Sequence, residues 1–436
     1  MLLAPRLRDK FPFYYGWIVV AASSTVVFAR MAPNITTLSV LIFPMSEQFG
    51  WSRTLISGSV SSGAIASLVF SPVVGWSIDR FGARPVLVIS VLCLGLAMIS
   101  LAWATLPITF YLAYSVGRVV FHTSAPIGSS TVASRWFIKK RGRAIGVIFL
   151  VGAVGGIVFT MLASLIVESY GLKTTWIVIG LLVLIVAVAP PLLLVAERPE
   201  DIGLNPDGEI PRFGDSEELI DSADSEPLTS APNDESWSLG EAVHTGTFWI
   251  MVVMGFTMYF VHTSIGVHMG AYFRDVGLGP TSTALAISLS WIVSSIGSVG
   301  WGVVTDRVPI RYAYSLMFLI QAGSTLYLMM VGDTVGIFLA AALFGVVSSA
   351  SNVIPSVMYA NYFGRSSLGR IRGVGEVGVL LGQATGPITA GILFGLQGNY
   401  DSIFTLFVLI AVICSMVIFC LLYTSPSPRD GLLSRM

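Results

Sequence analysis

Charge is what this sequence has least of. Only 11% of its 436 residues are Asp, Glu, Lys or Arg, against roughly a quarter in an ordinary soluble domain, and that deficit excludes a water-soluble enzyme. Cysteine is scarce too: Cys93, Cys414 and Cys420 stand at no metal-ligand spacing, so neither a disulfide framework nor a zinc site is suggested. Lys+Arg and Asp+Glu balance at 24 each, so no basic surplus points to nucleic acid and no acidic surplus to a cationic partner. There is no G-x-x-x-x-G-K-[ST] run, which removes ATP as an energy source within the chain. No clustered nucleophile, acid pair or metal set marks a catalytic centre, and no cofactor is expected.

What the sequence has is apolar length. Hydrophobic residues make up 54% of it, and windows near the ~20 residues that cross a bilayer recur at 14–39, 54–78, 85–105, 108–133, 144–168, 174–195, 248–272, 281–305, 312–331, 335–360, 371–396 and 403–419. These predict an all-α membrane protein with twelve transmembrane helices, the first of them uncleaved. Between the sixth and seventh windows, Glu197 to Glu241 holds 14 of the 24 acidic residues and reads as a solvated linker. Nineteen Lys and Arg, among them Arg6, Arg8, Lys10, Arg135, Arg141, Arg365, Arg370 and Arg372, fall on the side of the N-terminus; Arg53, Lys173 and Arg274 fall opposite. That asymmetry places both termini and the linker in the cytoplasm, for a multi-pass protein of the inner membrane.

The halves repeat. Gly75-Trp-Ser-Ile-Asp79-Arg80 ending at Arg84 recurs as Gly302-Val-Val-Thr-Asp306-Arg307 ending at Arg311. The stretch Phe137 to Val147 parallels Phe363 to Val374 at nearly the same offset. Two pseudo-symmetric six-helix bundles are expected, at 1–196 and 245–419, joined by an acidic linker at 197–244. Beyond Phe419, the string Cys420-Leu-Leu-Tyr-Thr-Ser-Pro-Ser-Pro-Arg-Asp430 looks like a reading frame of a sequencing adapter, and 420–436 reads as a non-native tail.

Gly75 to Arg84, with Asp79, Arg80, Gly82 and Arg84 in place, fills every defined position of G-x-x-x-D-R-x-G-x-R and resembles the major facilitator superfamily. The second copy departs at Pro309, where the pattern has glycine. Gly16-Trp17, Phe49-Gly50-Trp51-Ser52-Arg53 and the run Arg198 to Gly208 are similar to the bacterial branch related to monocarboxylate and oxalate/formate transporters. The resemblance implies the major facilitator fold, monomeric function, and a gating latch between halves made by Gly75, Asp79, Arg80, Gly82, Arg84, Asp306, Arg307 and Arg311, with Arg80 and Arg84 pairing across the cytoplasmic face. It also implies that windows five and eleven slide against eight and two, through Gly152, Gly155, Gly156, Gly378, Gly382 and Gly386. The serines of window eight and Val379 of window eleven stand where oxalate carriers have basic residues, so oxalate is disfavoured.

Ionisable side chains inside a span are costly and mark sites by default. Arg30 and Arg118 are two such cations with no acid in their own windows, which points to an anionic ligand; the alternatives are a strut bonded to carbonyls for Arg118 and snorkelling for Arg30. Asn34, His122, His262, Asn352 and Tyr359 are further substrate-binding candidates, and Pro355 is expected to break its helix. Glu376, His262 and His268 are candidates for proton coupling; an interfacial salt bridge to Arg370 or Arg372 is the other reading of Glu376. The expectation is a secondary transporter for a small, monocarboxylate-like organic anion, working by alternating access with protons as co-substrate in a lipid bilayer. A neutral or hydrophobic solute, or a receptor that does not move its ligand, is the alternative.

Overall fold

The computed structural model describes residues 12–208 and 237–421, all of whose regular elements are helical. Arg6, Arg8 and Lys10, linker residues 209–236 and tail residues 422–436 lie outside the described residues. The long helices are α1 Gly16–Ala29, α2 Ile35–Phe49, α3 Arg53–Phe81, α4 Ala83–Ser100, α5 Pro107–Val119, α6 Ala125–Trp136 and α7 Arg141–Ala187, which runs on into the short α8 Ala189–Leu194. After the linker come a short α9 Leu239–Val243, then α10 Gly246–Asp275, α11 Pro280–Arg307, α12 Ile310–Met330, α13 Thr334–Phe363, α14 Leu368–Gln397 and α15 Asp401–Leu421. Among the described residues, nine helices are long and apolar enough to cross a membrane.

Four of the twelve expected windows depart from simple spans, each for a local reason. The first is broken: α1 has 14 residues, about 21 Å of helix, short of the ~30 Å hydrocarbon core. Pro33 lacks an N–H and biases the preceding residue away from helix, and Asn34 is extended at φ −68°, ψ 151°. The fourth window runs through a π turn, Val120–Ser124, between α5 and α6. That turn sits just before Pro126, which has no N–H for an ordinary helical bond. The fifth and sixth form one 47-residue helix bent at Gly171, whose φ of 76° suits glycine. Pro355, by contrast, does not break α13, which is continuous from Thr334 to Phe363. The Ser351 carbonyl that Pro355 leaves without a helical donor receives the Tyr259 hydroxyl at 3.3 Å, the kind of substitute bond that lets a membrane helix keep proline.

Helices α1 to α8 pack chiefly on one another, as do α10 to α15; α3 with α14 and α7 with α11 join the two groups. The expected glycine stripes are sites of close helix packing. An added Cβ at Gly152 would lie 2.7 Å from Val27 and one at Gly155 2.5 Å from the Phe28 carbonyl, both on α1. Gly378, Gly382 and Gly386 abut Val252, Phe256 and Phe260 of α10. These are contacts inside each group, where absent side chains let backbones approach. The junction between groups uses Gly75 against Gly369 and Gly373, and Gly142 against Gly302. The start and end of the expected linker are also folded structure. Asp207 accepts the backbone N–H groups of Ile138, Lys139 and Lys140 at 2.9, 2.8 and 3.2 Å. Ser238 and Glu241 close a capping box on α9, which holds the Glu241 carboxyl below the usual carboxylate range.

A methyl group at Gly382 would collide with the Phe256 carbonyl, whereas one at Gly395 meets nothing within 4 Å. Gly382→Ala is therefore expected to cost about 1–3 kcal/mol by overpacking, and Gly395→Ala to be neutral or slightly stabilising. Thermal denaturation of the two purified proteins in one detergent checks the difference.

Candidate functional site

The broken first helix and the π turn lie side by side. Arg30, the last residue before the break, donates from Nη1 to the Phe121 carbonyl at 2.9 Å, and its guanidinium lies 4.9 Å from the Phe121 ring centre and 5.5 Å from that of Phe149 on α7. Arg118 lies 4.8 Å from the same Phe121 ring. Its Nη1 reaches the Pro33 carbonyl at 3.4 Å and its Nη2 meets His122 Nε2 at 2.7 Å. Tyr114 donates to that Pro33 carbonyl at 2.8 Å, so the break at Pro33 is anchored from α5. Both arginines are buried, at 7% and 3% exposure, and each keeps a buried Nε–H with no partner among the described residues. Two cations thus share one aromatic ring, an arrangement each gains from, with no carboxylate in direct contact.

For Arg30, but not for Arg118, a carboxylate of the other group of helices is near enough to interact. Glu376 on α14 interacts electrostatically with Arg372 and Arg30, and with the hydroxyls of Tyr259 and Tyr359. The interfacial salt bridge expected of Glu376 is not formed: among the described residues it makes no ion pair within 4 Å, and Arg370 instead gives its backbone N–H to Asp79. Arg372, counted with the arginines of the N-terminal side, is buried, donates to the Pro126 carbonyl at 3.3 Å, and bonds Ser130 Oγ. Sequence reasoning missed it as an interior cation. Its spacing of four residues from Glu376, one helical turn, is the signal that was available.

The other candidates scatter. Asn34 is buried near Met31 Sδ at 3.9 Å, and Asn352 donates to the Ser348 carbonyl at 3.0 Å on its own helix. Tyr359 is buried with its hydroxyl over Gly375. His262 is stacked flat on Phe344 at 4.5 Å. His268 sits between the Tyr400 hydroxyl at 3.1 Å and the Pro387 carbonyl at 3.2 Å. Of the three histidines, His122 is the one that touches an arginine.

At the arginine-rich end the two motif copies make matching contacts. Asp79 accepts the backbone N–H groups of Gly369 and Arg370 at 3.0 and 2.7 Å, the second and third residues of α14. Asp306 accepts those of Gly142 and Arg143 at 2.6 and 3.2 Å, the second and third of α7. The offset, 306 − 79 and 369 − 142, is 227 in both cases. A carboxylate at a helix N-terminus meets unpaired N–H donors and the positive end of the helix dipole. Asp79 also has Arg135 at 3.6 Å, and Arg135 pairs with Glu197 at 2.9 Å. Glu197 accepts the N–H groups of Ala83 and Arg84 at 2.9 and 2.7 Å, and the φ of 93° at Gly82 with no Cβ admits it. Three further bonds cross the same junction: Arg365 to the Arg135 carbonyl at 2.9 Å, Arg141 to Asn361 at 2.5 Å and Ser71 to the Gly373 carbonyl at 2.8 Å.

Among the described residues, Arg80 and Arg84 make no bond across this junction. Arg84 donates to the Leu192 carbonyl at 3.0 and 2.6 Å, within its own group of helices, and Arg80 stacks beside Trp76 and Phe81 at about 6 Å. Arg311 bonds its neighbour Tyr312 and Arg307 is exposed. The cross-contacts described above come from Asp79, Asp306, Arg135, Arg141, Arg365 and Ser71.

These features describe an all-α, multi-pass membrane protein whose helix groups are joined by duplicated carboxylate caps around buried cations. The family model described as Major Facilitator Superfamily matches residues 22–358 and 251–435, and the chain belongs to that superfamily. It is similar to monocarboxylate transporter 9 of Mus musculus, 31% identical over 39% of this chain; the match spans only 33% of that relative's own length. It is 23% identical to monocarboxylate transporter 13 of Bos taurus over 89% of this chain and 85% of that one. Among solved structures, the proton:xylose symporter XylE bound to 6-bromo-6-deoxy-D-glucose overlays with a TM-score of 0.73 at 13% identity, covering 93% of this chain and 96% of that one.

Removing the Asp79 carboxylate leaves two helix N–H groups and Arg135 short of a partner across the junction. In a protein whose native cysteines are replaced by serine, Ser71→Cys is expected to react with maleimide slowly, and about tenfold faster when Asp79→Ala is added, corresponding to ~1.4 kcal/mol of lost closure. Labelling rates in membranes check this.

Proposed function

We propose that this chain is a secondary transporter that carries a small organic anion across the membrane by alternating access, with Arg118 and Arg30 as the anion's counter-ions. The observation that carries this reading is the pair of buried guanidiniums on one phenylalanine ring, each with an unfilled donor and neither in contact with a carboxylate. A buried charge is stable only when compensated, and an anion taken into the site compensates these two. The similarity to monocarboxylate transporters 9 and 13 supports the same substrate class.

In this reading α1 to α8 and α10 to α15 are two six-span bundles, divided near 1–196 and 245–419. The kinked α7 counts as two spans, and the broken first window and π-interrupted fourth window as one each. The arginine-rich end faces the cytoplasm, by the bias of Lys and Arg. The Asp79 and Asp306 caps then hold that face shut, which leaves the site facing outward. A monocarboxylate moving with a proton fits the charge of the site, and the bacterial branch fits the motif runs around Trp51 and Pro199.

Uptake of labelled lactate and benzoate into proteoliposomes, with and without an inwardly directed proton gradient, tests the proposal. Wild-type protein is expected to accumulate one of them, and Arg118→Gln to lose at least about 100-fold in rate, the cost of removing one partner of a buried charge pair. If neither carboxylate moves with well-inserted protein, the anion reading fails and a neutral solute takes its place. The contact of Arg118 with the Pro33 carbonyl and His122 would then be its structural role.

A further inference from the structure

We propose that His122 takes up the proton that accompanies the anion, because it competes with that anion for Arg118; this rests on the anion reading above. Arg118 Nη2 and His122 Nε2 are 2.7 Å apart. A guanidinium has only donors, so Nε2 accepts, and the imidazole is neutral with its hydrogen on Nδ1. The bond alone fixes the tautomer. His122 is 6% exposed and sits in the middle of the π turn Val120–Ser124, an element that occurs in helices mostly at functional sites.

The two partners compete for one position. Nη2 carries two N–H groups: an anion that takes the one now given to Nε2, so as to bridge Arg118 and His122, displaces that ring nitrogen, and a proton placed on Nε2 removes its lone pair and forces the ring off Arg118. The proton comes from hydronium in the bathing solution: one O–H bond of H3O+ breaks and leaves water, an N–H bond forms at the Nε2 lone pair, and the Arg118 hydrogen bond passes from Nε2 to the anion. Without the anion, a protonated His122 would add a third positive charge beside Arg118 and Arg30. With it, the anion lies between guanidinium and imidazolium. Anion and proton binding therefore strengthen each other, and that coupling is reciprocal.

Charged groups on the elements packed around the π turn agree with this. Arg118 lies on α5, Arg30 at the end of α1, and Arg372 and Glu376 on α14. Asp79, Arg80, Arg84 and Arg135 on α3, α4 and α6 lie at the arginine-rich end. The other proton-coupling candidates lack the competition. His262 is stacked on Phe344 and His268 is bonded to Tyr400 and Pro387, away from any arginine. Glu376 attracts Arg372 and Arg30 and occupies no donor of Arg118.

The test measures protons taken up when lactate or benzoate is added to the full purified chain in weakly buffered detergent near neutral pH, with binding followed by calorimetry. Wild type is expected to take up about one proton per anion bound, and His122→Gln to bind more weakly while taking up less than about a tenth of that. Unchanged proton uptake by His122→Gln overturns the proposal, as does loss of uptake confined to Glu376→Gln. Absence of binding by wild type defeats the anion reading itself and this inference with it. A second measurement needs no variant: in wild-type protein with ¹⁵N-labelled histidine, saturation with the carboxylate at constant pH should convert one neutral imidazole to imidazolium. Binding without any new imidazolium signal overturns the proposal.

Discussion

Two carboxylates, each placed on the exposed N–H groups of a helix from the other half of the chain, fix where everything else goes. Asp79 ends α3 and caps α14; Asp306 ends α11 and caps α7. Neither bond is strong alone, since a carboxylate at a helix N-terminus contributes about 0.3–1 kcal/mol at the surface and up to ~2 where partly buried. Their effect comes from position. The helix ends come this close only because Gly75 faces the Gly369 carbonyl and Gly302 the Gly142 carbonyl, so a two-fold arrangement of small residues and acids sets the distance between the groups of helices.

The capped helices carry the interior chemistry. Two residues beyond the capped N–H of Arg370, Arg372 turns inward onto Pro126 and Ser130, and Glu376 follows one turn later. Six residues beyond the capped N–H of Arg143, Phe149 lies against the Arg30 guanidinium. The rest of the cation site depends on two prolines in the first half. Pro33 breaks the first helix and leaves its carbonyl to Tyr114 and Arg118. Pro126 follows the π turn, whose Phe121 gives its carbonyl and ring to Arg30. Irregular backbone is tolerated at membrane depth only where protein or a water-filled cavity receives its polar groups, and arginine side chains receive them here. In the second half the corresponding proline, Pro355, leaves its helix continuous, and Tyr259 satisfies the freed carbonyl. The site is therefore asymmetric although the caps are duplicated.

Composition and apolar windows were enough to read an all-helical membrane protein, and the repeated Gly-x-x-x-Asp pattern marked both carboxylates. Their partners were not readable: Gly369 lies 290 positions from Asp79, and backbone N–H donors carry no sequence signal. The motif arginines drew attention because charge is conspicuous in an apolar sequence, yet Arg80 and Arg84 stay on their own side while Arg135, Arg141 and Arg372, counted with the loops, are buried. A count of loop charges cannot separate an arginine in water from one folded under the next helix, since both sit within a few residues of a helix end. Arg30 and Arg118 stood out for the opposite reason, each isolated in an otherwise uncharged window. Their convergence on Phe121 was hidden because it depends on a break and a π turn, and a hydropathy window averages over both.

Cap and site are carried by the same helix, and that has a consequence for any motion between the two groups. Moving α14 away from Asp79 also moves Arg372 relative to Pro126 and Ser130, and Glu376 relative to Arg30. The compensation that Glu376 gives the buried arginines is then weakest when the junction opens. An anion already held by Arg30 and Arg118 would supply that compensation from within the first half, whichever way α14 goes. An empty site would lose it. In the proposed reading, opening at the arginine-rich end is less costly for the anion-loaded protein than for the empty one, because an uncompensated buried cation is penalised heavily in a low-dielectric interior. A charged ligand biases a two-state protein only through such differential interaction, and in the proposed reading the single residue between the capped Arg370 and the buried Arg372, Ile371, is the shortest path by which an anion would do so.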